Sequence, residues 1–124
     1  MKPVYRDFTQ QALDDAYNNQ KAVPGFPRVR AARAERSLAV YANARVDRDI
    51  QYGPGARHRI DFIHCGTPHR PTLAYIHGGY WQMNDKEPQA FIAEGLLQRG
   101  MNVVNVEYTL APTATMTEII GEIQ

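Results

Sequence analysis

The sequence is poor in several features that would point to particular classes of protein. It has one cysteine, Cys65, so no disulfide can form within the chain, which is typical of a reducing compartment. No stretch approaches the ~18 apolar residues that span a membrane. The segment Met1–Asp7 lacks the apolar core of a signal peptide. These absences predict a cytoplasmic protein without a membrane partner.

Charge and composition narrow the class further. Lys and Arg total 14 against 13 Asp and Glu, and this balance argues against a dedicated nucleic-acid partner. With 44% hydrophobic and 22% charged residues, the chain is globular rather than disordered or fibrous in composition. Its 124 residues are enough for one ordinary domain and too few for two.

The N-terminal part of the chain is predicted to be helical. Apolar positions recur at helical spacing over about residues 9–18, and a Pro- and Gly-rich break follows at 23–27. The Ala- and Arg-rich segment 28–44 predicts a second helix. Its basic side lacks interleaved aromatic residues, so we interpret it as a solvated face and not as a site for an anionic partner; its members are Arg28, Arg30, Arg33 and Arg36.

The pattern changes from helical to extended at residue 46. Two short predicted strands, 46–52 and 59–64, are joined by Gly53-Pro54-Gly55. We interpret this joint as a turn, because a nucleotide-binding loop would need a third glycine and a following helix. Two continuous apolar runs, 72–76 and 101–106, predict strands that are buried on both faces.

Helix start signals follow both of these apolar runs. Asn84 and Glu87 have the spacing of a capping box, and Thr115 and Glu118 repeat that spacing. The order strand, helix, strand, helix from residue 72 onward predicts a parallel α/β unit.

The last predicted helix has no stop signal before Gln124, so we expect the sequence to end within the fold. The strand 103–106 and the apolar side chains of Ile119, Ile120 and Ile123 would then lack covering. A surface of that kind predicts a homo-oligomer or association with a chain that supplies the rest of the fold.

The segment Tyr75-Ile76-His77-Gly78-Gly79-Tyr80-Trp81 is the most informative stretch of the sequence. Two glycines directly after a strand let the backbone turn sharply and approach a ligand with no side chain between them. Their N–H groups are then able to point at one spot. In acyl transfer, that spot is the oxygen that becomes negative, and one such donor typically stabilises the transition state by ~2.7–4 kcal/mol.

These residues resemble the α/β-hydrolase superfamily, in which a loop of this type follows the third strand. His77-Gly78-Gly79-Tyr80-Trp81 is similar to the His-Gly-Gly-x-Trp motif of arylformamidases (kynurenine formamidases) and related carboxylesterases. The segment 103–112, with Tyr108-x-Leu110-x-Pro112, is similar to the segment that follows in the same enzymes. The resemblance implies the N-terminal portion of an α/β-hydrolase fold, with a helical arm at 1–44 and the first part of the core at 45–124.

The resemblance also implies roles for individual residues. Gly78 and Gly79 would donate to the oxyanion, with a contribution from the Tyr80 N–H, and Tyr80 and Trp81 would line the substrate pocket. His77 and Tyr108 would support the loop structurally. The family's nucleophilic serine stands in a G-x-S-x-G elbow farther along, followed by the acid and then the catalytic histidine, and no cofactor or metal is implied. This chain has no such elbow, since its single serine, Ser37, is followed by Leu-Ala-Val.

Other candidate residues have simpler interpretations. His64, Cys65 and His69 do not have a metal-ligand pattern, because adjacent strand residues point to opposite faces and no second ligand pair is present. Nothing in the sequence marks an activating partner for Cys65 as a nucleophile.

Three functions remain open at this point. The complete domain is expected to be a serine-type hydrolase of an N-formyl aryl amide, with a small-molecule substrate. A general carboxylesterase is the alternative within enzymes, because the motif does not distinguish an aryl formamide from a small ester. The third possibility is a catalytically inactive fragment or interaction-only chain that needs a partner.

Overall fold

The structure is a computed structural model that describes residues 2–124. Its N-terminal helices are α1 (Gln10–Tyr17), α2 (Asn19–Ala22) and α3 (Phe26–Asn43). The Thr9 hydroxyl caps α1 by accepting from the Ala12 N–H at 3.2 Å. The two predicted helices are confirmed as α1 and α3, whereas the short α2 was not predicted. Contacts divide the chain into two compact units, Met1–Ala32 and Arg33–Gln124.

The second unit is built on a mixed sheet of four strands in the order β1-β2-β4-β3. The strands are β1 (Val46–Gln51), β2 (Arg59–Ile63), β3 (Thr72–Ile76) and β4 (Asn102–Val106). β2 pairs antiparallel with both β1 and β4, and β3 pairs parallel with β4. The predicted α/β class, with antiparallel first strands followed by parallel ones, is confirmed.

The core lies where β4 and β2 face the helices. Val103 on β4 and Ile63 on β2 are fully buried, together with Ala90 and Ala93, and Val40 on α3 is 5% exposed. The expectation that strand 103–106 lacks covering is wrong, because Val103, Asn105 and Val106 are buried and β4 has a hydrogen-bonded neighbour on each side. The same expectation fails for Ile119, which is buried in a second cluster, while Ile120 is exposed.

The prediction that 72–76 is buried on both faces is also wrong. Thr72, Ala74 and Ile76 are exposed, and Leu73 and Tyr75 are only partly buried. Within residues 2–124, β3 pairs with β4 alone and therefore stands at the edge of the sheet. A continuous apolar run thus identifies the strand but not its position in the sheet.

One predicted capping box is present and the other is absent. Thr115 and Glu118 cap each other at the start of α5 (Met116–Ile123), as predicted. Asn84 and Glu87 do not form a capping box: a 3₁₀ helix (Glu87–Ile92) begins there with Lys86 as its N-cap and continues into α4 (Ala93–Gln98). The Asn84 amide donates instead to the Gly78 carbonyl at 2.8 Å. In the part of the chain that the structure describes, no helix combines the length and apolar character of a membrane span.

Candidate active site

The loop that follows β3 and His77, residues 78–85, is called the glycine loop and has an unusual backbone. φ is positive at Gly79 (139°), Tyr80 (52°), Trp81 (61°) and Asn84 (81°). Residues other than glycine held in this region typically cost of order 1–3 kcal/mol each, and such conformations persist only where the surrounding structure enforces them. The loop must therefore be held by strong contacts at several points.

The two glycines of the loop differ in what surrounds them. A Cβ on Gly79 would overlap the Met83 carbonyl oxygen and come within 2.8 Å of the Asn84 amide nitrogen. A Cβ on Gly78 would meet no atom within 4 Å. Glycine at 79 is therefore required by the turn itself, whereas the backbone at Gly78 faces open space.

The carbonyl groups of the loop are bound to the protein. The His77 carbonyl accepts from the Tyr108 hydroxyl at 2.8 Å, and the Gly79 carbonyl accepts from the N–H of Gln82 at 2.9 Å and of Met83 at 3.1 Å. The Gly78 carbonyl accepts from Asn84 Nδ2 at 2.8 Å and faces His77 Nδ1 at 3.0 Å.

These carbonyls fix the direction of the N–H groups on the other side of each peptide. A trans peptide is planar, so its N–H points opposite to its C=O. The Gly78 N–H therefore points away from the Tyr108 hydroxyl, and the Gly79 N–H points away from His77 Nδ1 and Asn84. Among the loop and side-chain hydrogen bonds of residues 2–124, none is donated by the N–H of Gly78 or Gly79.

The His77 side chain is buried beneath the loop. Its Nε2 lies 2.8 Å from Glu107 Oε1, and its ring stacks on that of Tyr108 with centroids 4.5 Å apart. Burial alone would lower the pKa of His77, but the hydrogen bonds to Glu107 and to the Gly78 carbonyl outweigh it and hold that pKa above its usual value. His77 is thus placed to hold the loop.

Glu107 directly follows β4 and gathers donors from three parts of the chain. Besides His77, its Oε1 accepts from Arg57 Nη2 at 2.6 Å, and its Oε2 accepts from the Lys86 N–H at 3.0 Å. Arg57 comes from the segment between β1 and β2 and also donates to the Asn84 carbonyl at 2.8 Å. Neither Arg57 nor Glu107 was predicted from the sequence as a functional residue. The sequence does contain one signal for Glu107: an acidic residue directly after an apolar strand is expected to be buried, and a buried charge needs a partner.

A second charged cluster surrounds Lys86 and was also missed. Its Nζ donates to Asp49 at 2.9 Å, to Asp61 at 3.0 Å and to Glu87 at 2.8 Å. Burial alone would lower the pKa of Lys86, but these three carboxylates outweigh it and raise that pKa. Asp61 is completely buried on β2 and also accepts from the Tyr41 hydroxyl at 2.7 Å.

The two aromatic residues of the motif lie on the outer part of the loop. Tyr80 is 63% exposed and Trp81 is 42% exposed. The Trp81 ring is tilted against the Tyr108 ring, with the ring centroids 5.7 Å apart. The Trp81 carbonyl accepts from the Ala111 N–H at 2.7 Å. Tyr108 itself is fully buried, so it connects the loop after β3 to the segment after β4.

The remaining candidate residues lie away from this loop. The Ser37 hydroxyl is buried, donating to the Pro88 carbonyl at 2.8 Å and accepting from the Phe91 N–H at 3.0 Å, so it fastens the 3₁₀ helix to α3. Gly53-Pro54-Gly55 is a turn, in which the Gly55 N–H donates to His58 Nδ1 at 3.0 Å.

Three of the side chains considered as metal ligands or as part of a basic face have other partners. His64 Nε2 lies 2.7 Å from Asp47, and Cys65 Sγ faces the Thr67 carbonyl at 3.6 Å. On α3, Arg36 forms an ion pair with Glu94. No group of three or more His, Cys, Asp or Glu in residues 2–124 is arranged to hold a metal ion.

The fold and the loop together define a class of protein. The parallel pairing of β3 with β4 and the glycine loop after β3 match an α/β-hydrolase, and the chain has part of that fold. The family model named BD-FAE matches residues 64–124.

Comparison with known proteins gives named relatives. A kynurenine formamidase of Danio rerio is 33% identical over 78 residues, which cover 61% of this chain and 27% of that protein. A kynurenine formamidase of Drosophila melanogaster is 29% identical over 128 residues, covering 98% of this chain and 42% of that protein. A crystal structure of a proposed thioesterase from Silicibacter sp. tm1040 has 30% identity and a TM-score of 0.78, covering 90% of this chain and 43% of that one. The chain thus spans less than half the length of each of these relatives.

Proposed function

We propose that this chain supplies the oxyanion-binding loop of a serine-type hydrolase that cleaves an N-formyl aryl amide. The observation that carries the proposal is the state of the Gly78 and Gly79 N–H groups. Neither donates within the loop and side-chain hydrogen bonds of residues 2–124, and the backbone at Gly78 faces open space. Relatives that are kynurenine formamidases support the same reaction class.

The proposed reaction begins with attack by a serine hydroxyl that lies outside this chain. Its oxygen bonds to the formyl carbon, a histidine base takes the proton, and the carbonyl oxygen becomes negative. The N–H groups of Gly78 and Gly79, with a contribution from Tyr80, would bind that oxygen. The C–N bond then breaks and the aryl amine leaves with the proton. Water hydrolyses the formyl-serine intermediate, which releases formate and restores the serine.

The aromatic residues on the loop support an aryl substrate. Tyr80 and Trp81 present exposed rings beside the proposed oxyanion site, and an aromatic ring of the substrate would pack against them. A general carboxylesterase is the second candidate, because the same N–H groups would bind the oxyanion of an ester and one structural neighbour is a proposed thioesterase.

The first test concerns the longest protein that the coding sequence specifies. We expect a G-x-S-x-G segment downstream of residue 124 and hydrolysis of both N-formyl aryl amides and p-nitrophenyl acetate, with the formamide preferred in kcat/KM. Gly78→Ala should lower kcat by about tenfold or more, because a methyl group would enter the space before the proposed oxyanion site. An unchanged kcat in this variant would contradict the proposal, and a preference for the ester would favour the second candidate.

We also propose that the 124-residue chain alone is inactive and associates with another copy or with a chain that supplies further strands. β3 has no second neighbour within residues 2–124, and Ile76 on β3 and Trp81 and Met83 in the loop that follows it expose apolar surface. Light scattering should show a species larger than a monomer, and p-nitrophenyl acetate should not be turned over. A monomer that unfolds cooperatively would refute the association, and steady turnover would refute the inactivity.

A further inference from the structure

Both ends of the glycine loop converge on one carboxylate. His77 precedes the loop and contacts Glu107 Oε1 at 2.8 Å through Nε2, while Lys86 follows the loop and donates its N–H to Glu107 Oε2 at 3.0 Å. Glu107 is only 6% exposed, so both contacts form away from water. One side chain therefore closes the loop at its base.

Glu107 also acts on the loop through two intermediaries. Arg57 donates to Glu107 at 2.6 Å and, from the same nitrogen, to the Asn84 carbonyl at 2.8 Å. His77 contacts Glu107 with one ring nitrogen and the Gly78 carbonyl with the other. A single residue therefore connects each of two loop carbonyls, that of Gly78 near the start and that of Asn84 near the end, to the Glu107 carboxylate through hydrogen bonds.

The surroundings of His77 determine its charge state. A carbonyl oxygen and an ionised carboxylate both accept hydrogen bonds and cannot donate them. The two ring nitrogens of His77 that face these groups must therefore both carry hydrogen. A neutral ring would aim a lone pair either at the Gly78 carbonyl or at Glu107. The other groups that face the ring are the Arg57 guanidinium, which disfavours the charged form, and the stacked ring of Tyr108.

We propose that Glu107 is the positioning residue of this loop: its carboxylate keeps the His77 ring doubly protonated, and that ring, by donating to the Gly78 carbonyl, aims the Gly79 N–H outward. The role of the outward Gly79 N–H in binding an oxyanion rests on the proposed function. The positioning itself is a property of the loop and is measurable without substrate.

Nuclear magnetic resonance of the chain with ¹⁵N-labelled histidine tests the proposal. At neutral pH, both ring nitrogens of His77 should show the shifts of protonated nitrogens, with the signal assigned among the four histidines by a His77→Gln variant. In Glu107→Gln, the titration midpoint of His77 should fall by at least about one pH unit, a tenfold loss of proton affinity. The backbone ¹⁵N relaxation of Gly79 and Tyr80 should report a more mobile loop in that variant.

The matched control is Asp85→Asn, which removes a carboxylate that accepts from Arg57 Nη1 at 2.8 Å but does not contact His77. It should leave the His77 titration unchanged. A purely structural Glu107 would lower stability without moving that titration, and this outcome would overturn the proposal. If Glu107→Gln does not fold, the unsubstituted chain still decides, because a His77 ring with one unprotonated nitrogen at neutral pH refutes the inference.

These measurements also separate this proposal from the proposed function. Expected spectra in a protein that hydrolyses neither an amide nor an ester would leave Glu107 as the positioning residue and refute the hydrolase. Hydrolysis with an unperturbed His77 would do the reverse.

Discussion

Two buried charges stand side by side in this fold and are neutralised in opposite ways. Glu107 is an anion whose partners are the cationic side chains of Arg57 and His77 and two backbone N–H groups. Lys86 is a cation whose three side-chain partners are all carboxylates. The Lys86 N–H donates to Glu107, so the two clusters are in direct contact.

The two clusters hold different parts of the molecule. The carboxylates around Lys86 come from β1, β2 and the start of the 3₁₀ helix, so this cluster fastens the sheet to the helical layer. The partners of Glu107 lead to the loop carbonyls of Gly78 and Asn84. The cluster around Lys86 therefore belongs to the framework of sheet and helices, and the cluster around Glu107 belongs to the candidate site.

The largest expected effect comes from removing the cation of the framework cluster. Lys86→Met leaves the fully buried Asp61 without its counter-charge, and breaking a buried pair in this way typically costs ~3–5 kcal/mol. Urea denaturation measures the loss. Glu87→Gln is the control, because that carboxylate is partly exposed and should contribute ~1 kcal/mol or less. Similar losses in the two variants would contradict the framework role of Lys86.

A pair of glycine substitutions sharpens the description of the loop. Gly79→Ala forces a side chain into positive φ and against the Met83 carbonyl, which should lower the free energy of unfolding by ~1–3 kcal/mol. Gly78→Ala meets no atom and should change it by ~0.5 kcal/mol or less. Thermal or urea denaturation followed by circular dichroism gives both values, and equal effects would show that the loop does not hold this backbone.

Removing one tyrosine hydroxyl from the framework and one from the loop compares the two regions by the same kind of substitution. Tyr41→Phe removes a donor to the buried Asp61 carboxylate, where a hydrogen bond to a charged group is worth ~1.5–3 kcal/mol. Tyr108→Phe removes a donor to the His77 carbonyl, a neutral bond worth ~0.5–1.5 kcal/mol. We expect urea denaturation to rank Tyr41→Phe as the more destabilising, and the reverse order would break the distinction between framework and loop.

The smallest expected effect is a dependence of stability on pH. Because the pKa of His77 is raised in the folded state, its contribution is complete below pH ~6.5 and is lost as pH rises through the folded pKa. Urea denaturation between pH ~6 and 9 should show this decline. The decline should be weaker in Glu107→Gln, and an equal decline in both proteins would remove His77 as its source.

Local signals in the sequence predicted local structure well. Thr115 and Glu118 satisfy each other within one helical turn, so their spacing was enough to place the start of α5. Asn84 and Glu87 have the same spacing, but their side chains bond to Gly78 and to Lys86 Nζ instead. Tertiary partners overrode the local pattern at that position.

The charged clusters were beyond the reach of sequence spacing. Arg57 and Glu107 are 50 positions apart, and His77 and Glu107 are 30 apart. Pairings of this kind depend on which strands become neighbours, and the order β1-β2-β4-β3 is not written in any local pattern. The glycine motif gave the position of the loop, while the residues that hold it appeared only with the fold.

The hydrogen-bonded carbonyls behind the loop have an energetic consequence. Tyr108 fixes the carbonyl before Gly78, and His77 with Asn84 fixes the one before Gly79, so both outward dipoles are set when the protein folds. Water molecules around an ion must reorient when charge appears, and that reorganisation takes free energy from the reaction. A preorganised pair of dipoles avoids this loss, so negative charge forming at the loop would be solvated from the moment it develops.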